Sequence, residues 1–559
     1  MRFKICIVVD IIALIAFLNA AAAFASDITF SDKSLFEYFV PVIDFPNDTA
    51  LTDYIRSPKL INNFGVDINS GNVKLVSHWD ADLIFDSNNI TNLVELIAEE
   101  NYIEWNPSGM RLTIGNQVFT WGKADGINPT AQINRFDYRD PADISKLPAP
   151  SVLLSAYPAS WISFDAVYMP FKQESLFPYD IASKIPQAFF NKHMVTNLSL
   201  DITSLNMATG SMGITSAAAT ADSVMSNSIS YQDDVDLTKP VIAMRANIFT
   251  GPVDISFMYA YDIDQFYSPV IELEEYNPLP DSVQSNSINT AVNNAVSNGT
   301  IPNNPALIAQ MKAALASNIN QSAQRISSIS LERKRIHRLG LDFKTAVGPV
   351  GLWGEACYSF GENPTFNDFS NRNPQLDWTA GFDFPFGPDG DWYINLQYTG
   401  TYVFDYDSAF FTDYPGGIPA TNQTGNAAYM QEYYYRAFTQ QLGNQFEGLT
   451  HGFVIRTQWP IFDESIIPSL TLSYFLPENY DQKEETRYGR GSVMADIKWR
   501  ISDDLSVSLG TSLFCAIIKD TNGAILVDQN DPLGMFYHDS TAYLRLTYAW
   551  NFSPESHKE

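Results

Sequence analysis

The segment TAYLRLTYAWNF, residues 541–552, switches character at every second position. Leu544, Leu546, Tyr548, Trp550 and Phe552 share one face, and Tyr543, Arg545, Thr547 and Asn551 share the other. Successive side chains of an extended chain point to opposite sides, so this is a strand with one greasy and one wet face. The period recurs upstream. Leu376, Trp378, Ala380, Phe382, Phe384 and Phe386 alternate with Asp377, Thr379 and Asp383. Val493, Ala495, Ile497, Trp499 and Ile501 alternate with Asp496, Lys498 and Arg500, and Ile255, Phe257, Tyr259 and Tyr261 with Asp254, Ser256 and Asp262. Val73, Leu75, Trp79, Ala81, Leu83 and Phe85 alternate with Lys74, His78, Asp80 and Asp82.

A soluble sandwich would also alternate. Two features favour a transmembrane barrel instead. Bulky aromatics sit at the ends of the apolar faces, where a membrane interface would lie. The connections also alternate short and long. Short ones are 250–252, 348–350, 387–390 and 502–504; long ones run roughly 170–240, 264–336, 406–448 and 516–540. The fold expected is all-β: an antiparallel up-and-down transmembrane barrel with short periplasmic turns and long outer loops carrying short helices. Counting back from Phe552 gives about seventeen strands, the first at 59–69. Single-chain barrels have even numbers, so about 16–18 are expected, enough for an aqueous lumen.

The N-terminus sets the compartment. Arg2 and Lys4 precede an apolar run from Ile5 to Leu18, and Ala23-Phe24-Ala25 supplies a small-residue cleavage site before Ser26. This is the pattern of a secretory signal peptide; the run is shorter than the roughly 20 residues of a membrane-spanning helix. The expected layout is a signal peptide at 1–25, an N-terminal segment at 26–56 that is either a plug or a first strand, a barrel at 57–552 and a tail at 553–559. Cys6 leaves with the signal, so Cys357 and Cys515 make at most one bridge and no disulfide framework. The net charge of −29 argues against nucleic acid and anionic surfaces as partners. Twenty-eight Tyr and 37 Phe beside a mean hydropathy of −0.12 fit aromatic girdles around a polar interior.

Three long loops look organised: 281–330, with helix-forming composition at 305–322; 427–445, which includes Tyr433-Tyr434-Tyr435; and the Ser/Ala/Met-rich 202–230.

Residues 111–141, RLTIGNQVFTWGKADGINPTAQINRFDYRDP, form a strand and then a loop rich in turn formers. Gly115-x-Gln117, Trp121-Gly122, Asp125, Asn128-Pro129 and the run Asn134-Arg135, Asp137, Arg139-Asp140-Pro141 make up a pattern. It resembles the motif of a family of large bacterial outer-membrane porin-like barrels, many of unknown function. The stretch from Tyr157 through Ala166–Pro170 to Pro178 is similar to that family's next hairpin, and Asp377–Gly381 to a later strand. Lys123 stands where the family often has an acid, and Ser553–Glu559 follow an aromatic that usually ends such barrels. The resemblance implies passage of solutes across an outer membrane, with lipid, a lipopolysaccharide-like outer leaflet and the barrel-assembly machinery as partners.

Read physically, Trp121, Lys123, Asp125, Asn128, Arg135, Asp137, Arg139 and Asp140 are candidates for a loop that folds inward and narrows the bore. The plainer reading is that Trp121 and the Arg/Asp pairs pin the loop to the wall. Lumen-facing candidates are Lys74, His78, Asp80, Asp82, Arg245, Asn247, Asp254, Asp262, Asp342, Lys344, Glu355, Asp377, Asp383, Asn395, Gln397, Arg456, Asp496, Lys498, Arg500 and Arg545. The six histidines show no zinc spacing, and nucleophile-elbow, P-loop and dinucleotide fingerprints do not occur, so no cofactor, metal or enzyme activity is expected. Asp233, Asp234 and Asp236 read as a solvated acidic loop rather than a calcium site, and Arg333, Lys334, Arg335 and Arg338 as a solvated rim. The function expected is a channel for small hydrophilic solutes, leaning towards cations because the chain is acidic. A transporter for hydrophobic molecules and a surface adhesin are the alternatives.

Overall fold

In the computed structural model the described residues are 27–43, 57–85, 94–140, 142–176, 229–231, 236–275, 324–362, 371–387, 390–406, 447–476, 486–519, 523–527 and 533–552, with isolated positions between 289 and 312 and at 445 and 531. The signal segment, 202–228, 427–444, Asp233, Asp234 and the C-terminal tail lie outside them.

Eighteen strands form one closed antiparallel wall. The first five are β1 Asp27–Pro41, β2 Lys59–Ser70, β3 Val73–Ile84, β4 Val94–Trp105 and β5 Met110–Gln117. Next come β6 Ala149–Ala159, β7 Ile162–Met169, β8 Val241–Phe249 and β9 Val253–Ile263. The second half begins with β10 Arg335–Val347, β11 Val350–Gly361, β12 Gln375–Phe386, β13 Trp392–Val403 and β14 Leu449–Gln458. It ends with β15 Ile466–Leu476, β16 Thr486–Arg500, β17 Leu505–Lys519 and β18 Thr541–Phe552. Each pairs with its sequence neighbour, and β1 pairs with β18 from Phe30↔Phe552 to Pro41↔Thr541. That last ladder removes both free edges, which an open sheet would expose to aggregation.

The strand that completes the even count is therefore β1, within the segment for which the sequence leaves plug and strand open. Its first fifteen described residues are wall, not lumen. Eight short connections lie at one rim, among them 71–72, 250–252 and 348–349. Gly71 and Gly348 turn there with φ of +58° and +61°, a region costly for any side chain. The loops at the opposite rim are long. Among the described residues, helix is confined to one 3₁₀ turn, Gly534–Asp539, and isolated positions between 289 and 312.

The outer surface explains the closure. Ile114, Met244, Leu341, Leu509 and Leu546 stand exposed on the wall's outside. Trp105, Trp161, Trp499 and Phe552 edge this belt near the short turns, and Tyr168, Tyr259, Tyr402 and Tyr474 edge it near the long loops. An exposed apolar band between two aromatic girdles is stable in lipid and not in water. This is a membrane-spanning barrel. Cys357 and Cys515 are free thiols, so the bridge left open by the sequence is not formed.

Two hairpin arms continue above the wall. Ser268–Glu275 pairs with Gln324–Glu332, and Ile229–Tyr231 adds a third, parallel strand.

Candidate functional site

The loop between β5 and β6, residues 118–148, enters the barrel. Asn134 clasps its base: Oδ1 accepts the Phe119 N–H at 2.7 Å, while Nδ2 donates to the carbonyls of Gln117 (3.0 Å) and Leu147 (2.9 Å). The short hairpin Arg135–Asp137 with Ser145–Leu147 stiffens the returning arm. Gly122, at φ +96°, packs so closely on Asn128 that no Cβ would fit. Asn128 Nδ2 in turn donates to the carbonyls of Trp121 (3.3 Å) and Ala124 (3.4 Å).

One side of the loop is glued to the wall by burial. Phe119, Trp121 and Ile133 pack with Leu153, Val167, Met169, Val241, Ala243, Met258 and Ala260, inward residues of β6 to β9. A bore lined with Val241 and Ala243 would be wastefully apolar in water; under the loop those side chains are fully buried. The Arg245 guanidinium lies over the Trp121 ring at 5.7 Å and pairs with Asp342 at 2.9 Å.

The tip of the loop is clamped by polar contacts. Glu355 of β11 accepts the backbone N–H groups of Lys123, Ala124 (2.6 Å) and Thr130 (3.2 Å) and the Thr130 hydroxyl (2.9 Å). Asp125 accepts from the Tyr393 hydroxyl (3.0 Å) and the Asn395 amide (3.2 Å), and Gln397 donates to the Ile127 carbonyl (2.6 Å). Three consecutive inward positions of β13 thus hold one turn of the loop.

A buried ionic network fixes the third side. Lys172 binds both oxygens of Asp262 (2.7 and 2.8 Å), and Arg338 Nε reaches the same carboxylate at 3.2 Å. Arg135 donates to the carbonyls of Gln173 (3.0 Å), Ile263 (3.0 Å) and Asp264 (2.8 Å). Burial draws its guanidinium down to about 10, still charged at neutral pH. Arg333 donates to the carbonyls of Lys172 and Gln173. Arg333 and Arg338 are therefore buried inside the network, correcting the solvated rim read from the sequence. Arg335, which donates to the Pro240 carbonyl and covers the Tyr261 ring at 4.6 Å, stays at the wall's edge.

Against the opposite wall the loop leaves space. A cavity of about 610 Å³ separates it from β1 to β4. Its loop side carries Asp137, Arg139, Asp140, Asp143, Ser145, Lys146 and Leu147; its wall side carries Lys33, Glu37, Lys59, Asn63, His78, Asp80, Asp82, Glu99 and Glu100. Asp137 and Arg139 neutralise each other at 2.7 Å, as do Glu37 and Arg545. The balance that remains is acidic. A bulge opposite His78 brings both Glu99 and Glu100 to the inside of β4. Burial raises the Asp140 carboxyl, and burial lowers the Lys146 ammonium to about 8 while Glu355 opposes that shift.

The remaining inward positions follow from the register. Asp254 stands opposite Lys344, and Asp342 opposite Glu355. Asp377 accepts from Gln375 and Thr401, Asp383 fills the space over Gly351, and Arg456 stands opposite Asn395. Asp496 and Lys498 share the inner face with Arg545, and Arg500 ends β16 in a pair with Glu464 at the short-turn rim. Thr130, Lys146, Lys172 and Asp264 contribute to the site without a signal in the sequence, because single residues in loops carry no period; Tyr393 is an inward strand position whose aromatic ring reads as apolar. Among the described residues there is no cluster of His, Cys, Asp or Glu fit for a metal.

No family model matches the chain, and no curated protein does. Solved structures do resemble it. OpdK of Pseudomonas aeruginosa, crystallised with vanillate, superposes with a TM-score of 0.45 at 8% identity, covering 95% of this chain and 100% of that one. Acinetobacter baumannii OccAB1 gives 0.44 at 10% identity, covering 95% and 97%, and Pseudomonas aeruginosa OccK5 (OpdH) gives 0.43 at 9%, covering 94% and 98%. Likeness at this level assigns no solute and no residue role; the geometry of this barrel has to do so.

Proposed function

We propose that the protein is an outer-membrane channel passing small hydrophilic solutes by diffusion, with loop 118–148 setting its aperture and an acidic lining that favours cations. The observation that carries this is the seating of the loop. It is buried on one side against β6 to β9, clamped at its tip by Glu355, and leaves a polar cavity of about 610 Å³ along β1 to β4. Within it, Trp121, Lys123, Asp125, Asn128 and Arg135 hold the loop, and Asp137, Arg139 and Asp140 face the passage. The Trp-Gly and Asn-Pro pattern that resembles porin-like barrels is the pattern that builds this loop. Pinning and constriction are thus one device: a loop held this firmly defines an aperture. An adhesin needs only the outer loops and would gain nothing from a charged space maintained inside the wall.

Reconstitution into planar bilayers tests the proposal. Discrete conductance steps, a reversal potential on the cation side in a salt gradient, and size-limited swelling of liposomes with neutral sugars are expected. A silent barrel would reject the channel, and an anion-favouring or symmetric reversal would reject the role given to the acidic lining.

A further inference from the structure

The inner face of β17 changes character towards the long-loop rim. Its inward positions run Ser506, Ser508, Gly510 and Ser512, then Phe514 and Ala516. Phe514 stands opposite Ser492, next to the Gly491↔Tyr474 pair, and so lies level with the aromatic girdle of the long-loop side. A phenyl ring facing a water-filled bore would be costly, yet Phe514 is only 3% exposed. Loop 118–148 is seated elsewhere, on β6 to β9, β11 and β13. The cover over Phe514 is the segment 533–540, which includes the 3₁₀ turn Gly534–Asp539.

Three attachments hold this segment inside the wall. Phe536 packs on Phe514 with ring centroids 5.9 Å apart, and Leu533 and Met494 close around the pair. Arg490 binds Asp531 at 3.0 Å, and the other oxygen of that carboxylate accepts the N–H groups of Leu533 (2.8 Å) and Gly534 (3.3 Å). At the far end the β17–β18 ladder stops at Ser512↔Thr541, which frees the Phe514 N–H for the Ser540 hydroxyl oxygen (3.1 Å). The Ser540 carbonyl takes the N–H of Val42, the residue after β1 (3.0 Å). Arg490, Met494 and Phe514 all occupy inward positions of β16 and β17, so the segment lies within the mouth of the bore.

We infer that 533–540 is a strap that narrows the long-loop mouth over β16 and β17, a second aperture in series with the one set by loop 118–148. This rests on the channel reading and adds a selecting step ahead of the inner loop. The strap ends beside β1, the first of the strands that line the open cavity, so a solute entering that cavity from the long-loop side passes it. The two apertures differ in what they present. Loop 118–148 turns Asp140, Asp143 and Lys146 to the passage, whereas the strap's charge is spent on Arg490 and its large side chain, Phe536, is buried. The strap therefore selects by size and leaves charge preference to the cavity.

Deleting Leu533–Asp539 from the full chain removes the strap and keeps Ser540 for the Phe514 N–H. In planar bilayers this variant is expected to conduct more than wild type at an unchanged reversal potential. Phe536→Ala, which loosens the strap without removing it, should give an intermediate and noisier step, and it carries the test alone if the deletion yields no heat-modifiable barrel. Neutral polyethylene glycols of graded size, added on one side only, locate the effect. From the long-loop side larger polymers should enter the variants than enter wild type; from the short-turn side the limit should stay the same. A folded variant with wild-type conductance and wild-type polymer limits overturns the inference. So does an equal shift of the limit from both sides, or a changed reversal potential at unchanged limits. A silent wild-type barrel removes the channel reading itself, whereas a conducting barrel indifferent to these changes removes only the strap.

Discussion

Glu355 and Thr130 meet twice: one carboxylate oxygen takes the threonine hydroxyl at 2.9 Å and its backbone N–H at 3.2 Å. The other oxygen takes two more N–H groups from the same turn of the loop. A wall side chain more than two hundred residues away in sequence therefore caps the tip of the inward loop. Glu355→Ala leaves buried donors without acceptors, at about 1–3 kcal/mol for each that finds no water. Loop seating should fail before the wall does. We expect larger and noisier single-channel steps with an unchanged heat-modifiable barrel, and an intermediate effect for Glu355→Gln, whose amide accepts on one side only. Steps of wild-type size and quietness would show that the clamp does not set the aperture.

The buried ionic network makes a stability prediction. Asp262 neutralises Lys172 and Arg338 where none of the three reaches solvent. Asp262→Asn strands two buried cations, a loss of about 3–5 kcal/mol. Urea unfolding of the refolded barrel should show it. Replacing the exposed Glu464, which pairs with Arg500 at the rim, should change stability by less than about 1 kcal/mol.

Much of this was legible beforehand because a barrel wall writes its geometry at period two. Along β12 and β18 the lipid side is apolar throughout, so 376–386 and 541–552 announce both strand and facing. β1 is harder to read for a physical reason. Its lipid side carries Asp32 and Ser34 and its inner side carries Leu35 and Phe39, which blurs the alternation. The inward loop was legible as a motif, since Gly122 and Asn128-Pro129 mark sharp turns. Its partners were not. Whether Glu355, Asn395 and Gln397 line water or grip a loop depends on which strands come to face it across the bore. Arg333 and Arg338 read as a solvated rim because a run of cations gives no hint of Asp262 and Asp264 waiting inside.

The facing itself can be challenged. Phe382 and Ile497 are assigned to lipid, Asp383 and Lys498 beside them to the lumen. A lysine at Phe382 should cost about 2–4 kcal/mol, the value near mid-membrane, and one at Ile497, two residues from Trp499 in the girdle, somewhat less. Lys498→Glu, one residue along the same strand, should leave bilayer folding intact and shift only the selectivity. Equal penalties at neighbouring positions would break the alternation on which the wall is built.

Lys146 gives the channel a pH response. Its ammonium donates to the Phe119 carbonyl at 2.7 Å inside the acidic cavity, and burial holds it at about 8 instead of the usual 10.5. Below about 8 the folded loop keeps the proton; between 8 and 10.5 only the unfolded chain does. Proton release then accompanies loop seating, so seating strengthens as pH rises through that window, and the penalty for burying the charge is full only below 8. For conduction the sign is equally definite. Raising pH from 7 to 9 removes a positive charge from a lining that includes Asp137, Asp140 and Asp143, so cation preference should increase. Lys146→Met should show the high-pH selectivity already at pH 7 and respond little to titration. A wild-type reversal potential flat from pH 7 to 9, or a Lys146→Met channel that still titrates like wild type, would place the governing charge elsewhere.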